Sequence, residues 1–356
     1  MEDHRRILII KPSSLGDIVH ALPTLSAMRR LFPHAHITWL VKQEWAEILD
    51  GHPDLTDLIA VEFRWRYWPR LVAQLRRARY DLVLDLQGLF RSGVLARLTG
   101  ASTRVGFAAG REGSPWWYSD RVRLPVPEGL PWRQIPMHAV DRNLVLAAHV
   151  GADITKPTFR FPDFARETER MERKLHDLGV GPGEPLIAVA PVDRNRLRSW
   201  PLERFSEAAL RLVKMGAGKI LLIGTPGQRD ILRPFIEKLP TGLVNLVGQT
   251  TVRELAVILR RVQLLLANDS APLHIAAAMG TPVIGLFGPT NVIRARPFGE
   301  GHRALRVELP CSPCEKTVCV NRNQYECLTA ISVEEVVRAA QEHVQRSANV
   351  PIGRRP

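Results

Sequence analysis

Three stretches of this chain carry side chains whose types and spacing could do chemistry. The first is Lys11-Pro12-Ser13-Ser14-Leu15-Gly16-Asp17-Ile18-Val19-His20, where a hydroxyl, a glycine and a carboxylate follow an apolar run. A carboxylate shielded from water can take the proton of an attacking hydroxyl. The plainer alternative is a helix cap, since Ser14 and Asp17 have capping-box spacing, with Asp in place of the usual Glu. The second stretch is Asp193-Arg194-Asn195-Arg196-Leu197-Arg198-Ser199-Trp200-Pro201. A guanidinium at Arg198, with Arg194 in the same loop, can grip two phosphate oxygens and neutralise a departing diphosphate; alone, the loop would read as a solvated basic turn. The third runs from Asp269-Ser270-Ala271-Pro272 through His274 to Gly280-Thr281-Pro282. Asp269 or Ser270 can cap a helix there, Pro272 suits its first turn, and Gly280 followed by Pro282 stops it. The free N–H groups and positive dipole end of such a helix form an anion site. His274, four residues after Ser270, faces back toward the same mouth.

Two loops and one patch add weaker signals. Gly224-Thr225-Pro226-Gly227-Gln228 follows an apolar run at Ile220–Ile223, at a carboxyl edge where ligands of α/β sheets bind. Arg64, Arg66, Arg70, Arg76, Arg77 and Arg79 crowd a segment that also holds Trp65, Tyr67 and Trp68, with no acidic residue among them. Such a patch suits single-stranded nucleic acid, or a phosphorylated glycolipid at a membrane surface where aromatic rings settle at headgroup level. A solvated helix face accounts for Arg76–Arg79 but poorly for Trp65 and Trp68. All four cysteines, Cys311, Cys314, Cys319 and Cys327, lie in one segment spaced C-x2-C-x4-C-x7-C. The first pair has zinc-knuckle spacing and the remainder is looser, so a structural metal loop and a set of free thiols both remain open.

The elements that must position these groups alternate. Apolar runs at Arg6–Lys11, His36–Val41, Asp57–Val61 and Asp81–Asp85 predict strands, with one helix over Gly16–Leu31. A Pro-rich stretch over 152–184 reads as a linker, and a second α/β unit starts at Leu186–Pro191. Runs at Val262–Ala267 and Val283–Phe287 flank the Asp269 stretch as strands. The last helix, Val333–Ser347, is expected to pack back on the first domain. The predicted architecture is α/β: two Rossmann-like domains, 1–165 and 166–356, facing each other across a cleft. No G-x-G-x-x-G or G-x-x-x-x-G-K-[ST] occurs, which argues against a dinucleotide dehydrogenase or a P-loop enzyme.

At 356 residues, two domains are the default, and 45% hydrophobic residues suffice for two cores. The net charge of +13, from 49 Lys and Arg against 36 Asp and Glu, points to an anionic partner. No apolar run approaches 18 residues, so the expectation is a cytoplasmic protein, soluble or peripheral to a membrane.

The motifs as a set resemble glycosyltransferase family 9, the ADP-heptose:lipopolysaccharide heptosyltransferases. Lys11–His20 matches the family's K-x-S-S-x-G-D-[VI]-x-H, and Asp269–Thr290 matches D-[ST]-G-P-x-H-x-A-A-A-x-x-x-P…G-P-T, with Ala271 where the family usually has Gly. The Arg198–Pro201 element matches [KR]-x-W-P. The resemblance spans about residues 6–300 and is nearest the heptosyltransferase I branch; heptosyltransferase II, or another member with a different acceptor, is the alternative. It implies a GT-B fold, inversion at the anomeric carbon, and no cofactor or metal in the chemical step, with zinc only a structural candidate in the cysteine loop. Asp17 is then the general base. Arg194, Arg198, Ser270, Ala271 and His274 serve the donor phosphates, Asp269 the heptose hydroxyls, Gln228 the ribose (where relatives often have Glu), and Thr250, in Val247-Gly248-Gln249-Thr250, the adenine side. Ser14, Gly16, Arg64, Arg66, Gln87 and Arg111 fall to the acceptor. The implied partners are an ADP-sugar and a phosphorylated glycolipid, the Kdo–lipid A inner core, at the cytoplasmic face of the inner membrane. Nucleic acid is not expected, and a basic nucleic-acid-binding protein is the rival of a different class.

Overall fold

The computed structural model describes residues 5–348 except 128, 131, 194, 239–241 and 317. The chain divides into two compact units, Met1–Asp163 and Phe164–Pro356. The first holds strands β1 (Arg6–Ile10), β2 (His36–Lys42), β3 (Asp57–Val61), β4 (Leu82–Asp85), β5 (Thr103–Phe107) and β6 (Asp120–Val122). The second holds β7 (Leu186–Ala190), β8 (Lys219–Leu222), β9 (Leu243–Asn245), β10 (Leu264–Asn268), β11 (Val283–Leu286) and β12 (Arg303–Leu305). All strand pairings in both six-stranded sheets are parallel. Helices cover parallel sheets on both faces, which is why β1, β4, β7 and β10 read as nearly unbroken apolar runs.

The sheet orders are β3-β2-β1-β4-β5-β6 and β12-β11-β10-β7-β8-β9. Read from its other edge, the second order repeats the first. In each unit the opening strand lies beside the fourth, and the connection order reverses there. The carboxyl ends at such a reversal form the crevice where α/β sheets bind ligands. The segments placed there are those after β1 and β4 in one unit and after β7 and β10 in the other. Three of the four are the stretches that the sequence singles out, and the fourth is Leu86-Gln87-Gly88.

One element differs from expectation. The helix predicted over 16–31 is two helices, Leu15–Val19 and Leu22–Leu31. Pro23 has no N–H to give the Val19 carbonyl, so the ladder stops and restarts with Pro23 in the first turn of the second helix. The last helix, Val333–Ala348, buries Val336, Val337, Ala339 and Ala340 in the second unit's core with Trp200, Phe205 and Leu286.

Candidate active site

In the first unit, Lys11 leaves β1 buried, and its ammonium donates to the Leu86 carbonyl at 2.9 Å, tying the loop after β1 to the loop after β4. Asp17 sits half-buried in the first turn of Leu15–Val19. Its Oδ2 accepts the Ser14 N–H at 3.1 Å and the Ser14 hydroxyl at 2.8 Å. Ser14 and Asp17 thus form the capping box that their spacing predicts, with the Ser14 hydroxyl also donating to the carboxylate, and Oδ1 carries neither of these bonds. Gly16 is buried in the same turn, with its carbonyl accepting from the His20 N–H at 3.0 Å.

Burial pushes the Asp17 carboxyl up, but Lys11, the two Ser14 bonds and Arg142 outweigh it and hold the group below the usual carboxylate range. Burial lowers the Lys11 ammonium, which Asp17 partly restores. Asp17 is thus ionised at neutral pH, and its proton-accepting form is lost only as pH falls through a depressed value. Lys11→Met should move the acid limb of the rate profile upward by about 1–3 pH units, the usual reach of one nearby opposite charge. A pH series of initial rates checks this, and an unmoved limb would detach Lys11 from Asp17.

Asp85 ends β4 fully buried and builds the neighbouring turn. Its Oδ1 accepts the N–H groups of Gln87 (2.9 Å) and Gly88 (3.2 Å), and its Oδ2 accepts the Tyr118 hydroxyl at 2.7 Å. Burial pushes the Asp85 carboxyl above its ordinary range against these bonds. Gly88 takes the left-handed conformation (φ +66°) that the turn requires. The turn aims Gln87 into a cavity of about 360 Å³, lined also by Pro12, Ser13, Lys42, Phe63, Arg91 and Glu112. Gln87 Oε1 and Arg111 Nε are buried without a partner among the described residues. Such groups are costly unless a ligand satisfies them. Arg142, buried and stacked over the Trp132 ring at 4.1 Å, completes the charge set acting on Lys11 and Asp17.

Arg64 and Arg66 do not line that cavity. Arg64 pairs with Glu62 at 3.4 Å, just outside the segment that lacks acidic residues. Arg66 lies over the Tyr67 ring and donates to its hydroxyl at 2.9 Å. Trp68 packs partly buried against the core around Leu71 and Leu75, which a solvated helix face does not describe; Trp65 stays exposed.

In the second unit, Asn268 at the end of β10 fixes the arginine loop. Its amide donates to the Pro191 carbonyl at 2.7 Å, and its carbonyl accepts the Trp200 N–H at 2.9 Å. The Trp200 indole donates to the Ile331 carbonyl at 3.1 Å. Arg198 is thereby brought to 3.5 Å from Asp269 Oδ2, while His274 Nε2 stands 3.6 Å from Asp269 Oδ1. Burial raises the Asp269 carboxyl, and His274, Arg198 and Thr290 together bring it below its usual range. Asp269 thus holds both the arginine and the histidine, where the sequence reading gave Arg198 and Asp269 to different parts of a ligand.

The helix after β10 is Ala271–Ala278, with Ser270 at its N-cap in extended backbone. Ser270 makes no side-chain capping bond, contrary to expectation, and its Oγ is buried without a partner among the described residues. Ala271 is half-buried at the helix start. Arg194 lies outside the described residues.

Gln228 spends both ends of its amide inside the chain: its carbonyl accepts the Thr225 N–H at 2.8 Å, and its NH₂ donates to the Val192 carbonyl at 3.1 Å. It thereby joins the loops after β7 and β8. Thr250 lies half-buried after β9, beyond Gly248, whose N–H donates to the Gly224 carbonyl at 2.7 Å. Gly248 has φ +66°, and a Cβ there would come within 2.8 Å of the Pro226 Cα. Gly248→Ala should cost at least ~1–2 kcal/mol from the left-handed backbone alone, read as a lowered urea midpoint. An unchanged midpoint would mean that the two loops need not touch.

The four cysteines are free thiols. Among the described residues no group of three or more His, Cys, Asp or Glu stands where it could hold a metal ion. Burial and the neighbouring thiols push Cys327 up to about 11. The loop braces the end of the Asp269 stretch. The Cys314 and Glu315 N–H groups donate to the Pro289 carbonyl (3.1 and 2.9 Å), and the Ser312 hydroxyl donates to the Gly288 carbonyl at 2.7 Å.

Lys11 has no role of its own in the sequence reading and Asn268 is passed over, although each sits inside or beside a motif that the reading singles out.

The chain resembles known proteins over nearly its whole length. Lipopolysaccharide heptosyltransferase 1 of Pseudomonas aeruginosa is 28% identical over 93% of this chain and 96% of its own length. A glycosyl transferase family 9 structure from Veillonella parvula superposes with TM-score 0.82 at 22% identity, covering 97% of this chain and 98% of that one. The E. coli ADP-heptose lps heptosyltransferase II structure does so with TM-score 0.76 at 21% identity, covering 96% and 99%. The fold is GT-B, two Rossmann-like units in one chain. The pattern of glycosyltransferase family 9 (heptosyltransferase) matches residues 68–324, and the chain is a glycosyltransferase of that family.

Proposed function

We propose that the protein transfers heptose from ADP-heptose to the Kdo–lipid A inner core of lipopolysaccharide, with inversion at the anomeric carbon. One observation carries the reading. The same topological position holds a proton acceptor, Asp17, in one unit and a cation–carboxylate–imidazole cluster, Arg198–Asp269–His274, at a helix start in the other.

Asp17 takes the proton of the acceptor hydroxyl as it attacks the anomeric carbon, through the oxygen that Ser14 leaves open. The glycosidic bond to ADP breaks, and Arg198 with the N–H groups at the start of Ala271–Ala278 stabilises the leaving diphosphate. Asp269 holds heptose hydroxyls and aims Arg198, while His274 supports the phosphate end. The adenosine lies along the loops that Gly248 brings together. On the acceptor side, Gln87 and Arg111 offer unsatisfied polar atoms to the sugar. No helix among the described residues is long and apolar enough to cross a membrane. The proposed workplace is the cytoplasmic face of the inner membrane, where the glycolipid acceptor is presented.

The test is incubation with ADP-heptose and defined Kdo–lipid A, followed by weighing the products. A gain of one heptose supports the reading, and anomeric NMR of the product reads the stereochemistry. Transfer only to an acceptor that already carries a heptose would reassign the protein to a heptosyltransferase II role. Stabilisation against heat by oligonucleotide but not by ADP would sink the enzyme reading altogether.

A further inference from the structure

Two tryptophans that no catalytic argument uses stand nearly bare in the first unit: Trp65 is 86% exposed and Trp116 is 79% exposed. They come from different loops at the same edge of one sheet. Trp65 opens the turn Trp65–Tyr67 after β3, and Trp116 lies in the turn Ser114–Trp117 after β5. Between β3 and β5 the sheet order places β2, β1 and β4, so the two loops stand about 19 Å apart at four strand spacings. The cavity that receives Gln87 lies in that interval, since its lining comes from the loops after β1 to β5. Phe90, 48% exposed, stands on its wall.

These loops form one surface. Arg91 lies over the Phe63 ring at 5.0 Å, joining the loops after β4 and β3. Phe90 meets Trp117 edge to face at 5.8 Å, joining those after β4 and β5. The Trp116 turn is held firmly: a Cβ on Gly93 would come within 2.9 Å of the Trp117 ring and 3.0 Å of the Ser114 carbonyl, so only glycine lets the helix Phe90–Leu98 seat against it. The rim is mainly cationic. Arg64, Arg66, Arg70 and Arg91 outnumber Glu62 and Glu112, in a chain of net charge +13.

Single exposed apolar residues need no explanation. Two bare tryptophans flanking a cavity mouth, with arginines between them, match what an anionic bilayer surface selects: indole rings at headgroup depth and cations against lipid phosphates. We propose that this edge of the first unit docks on an anionic lipid bilayer, with Trp65 and Trp116 inserted at headgroup level on either side of the acceptor cavity. The inference rests on the glycolipid acceptor proposed above and adds how the cavity meets it. An acceptor whose acyl chains stay in the bilayer then needs only its sugar to enter.

The experiment uses the full chain with vesicles of phosphatidylcholine alone and of phosphatidylcholine with phosphatidylglycerol, read by flotation and by quenching of tryptophan emission with brominated lipid. Binding should appear on the anionic vesicles and fall with salt. The Trp65→Ser/Trp116→Ser variant should lose at least about tenfold in partition and most of the quenching. Its kcat on a deacylated, water-soluble Kdo acceptor should match that of the unaltered protein, while its rate on vesicle-borne acceptor falls. Equal vesicle binding by the double variant would overturn the proposal, as would absence of binding to anionic vesicles or a preference for single-stranded oligonucleotide. If instead neither protein transfers heptose to the soluble acceptor, the proposed function fails while the vesicle result still decides the docking face.

Discussion

Asp17→Asn should lower turnover by two to four orders of magnitude, the usual scale for loss of a general base, and leave ADP affinity unchanged. The substitution is chosen for what it keeps. An asparagine carbonyl can still accept the Ser14 N–H and hydroxyl that now meet Asp17 Oδ2 at 3.1 and 2.8 Å, so the cap and the turn survive. What it removes is the charge that Lys11 and Arg142 stabilise, and with it the proton acceptor. Single-turnover rates, ADP titration calorimetry and a melting curve together check the claim. Near-normal turnover with an unchanged melting point would return Asp17 to a purely capping role.

The second large effect separates Arg198 from Asp269, which the fold places 3.5 Å apart. Arg198→Ala should weaken ADP binding by about 1.5–3 kcal/mol, the range for a lost hydrogen bond to a charged group, which is roughly a tenfold to hundredfold rise in Kd. Asp269→Asn keeps the shape but removes the charge between Arg198 and His274. It should leave ADP affinity within a few fold, or tighten it by freeing Arg198 for the diphosphate, while turnover with ADP-heptose drops at least about tenfold, or 1.4 kcal/mol of barrier. Calorimetry with ADP beside transfer rates for both variants decides the matter. If Asp269→Asn loses ADP as badly as Arg198→Ala does, its role is to aim the arginine, and the heptose contact proposed for it falls.

Much of the architecture was legible in the sequence because its cause is local. Parallel strands buried on both faces must be apolar along their whole length, so Arg6–Ile10, Leu186–Ala190 and Val283–Leu286 stand out as runs. The helix after Asn268 carries its own stop signals, and it ends where Gly280 and Pro282 require. Asp17 and Arg198 could be singled out for the same reason, since each sits in a short motif between a strand and a helix.

The partners of single side chains mark the limit of local reading. The Gln228 amide meets Thr225 and Val192, and Val192 lies 36 positions away. Arg64 and Arg66 read by composition as part of a basic patch, and that composition does not show that they meet Glu62 and Tyr67. The decisive pairings join residues far apart in the chain: Lys11 with Leu86 across 75 positions, Trp200 with Asn268 across 68, Arg198 with Asp269 across 71 and Tyr118 with Asp85 across 33. The first three exist because the sheets place β1 beside β4 and β7 beside β10, and the last because β5 and β6 follow β4 in sheet order. Strand order is set by how whole helices and strands share a core, so periodicity and spacing can name the chemical groups, but only the assembled sheet decides which of them meet.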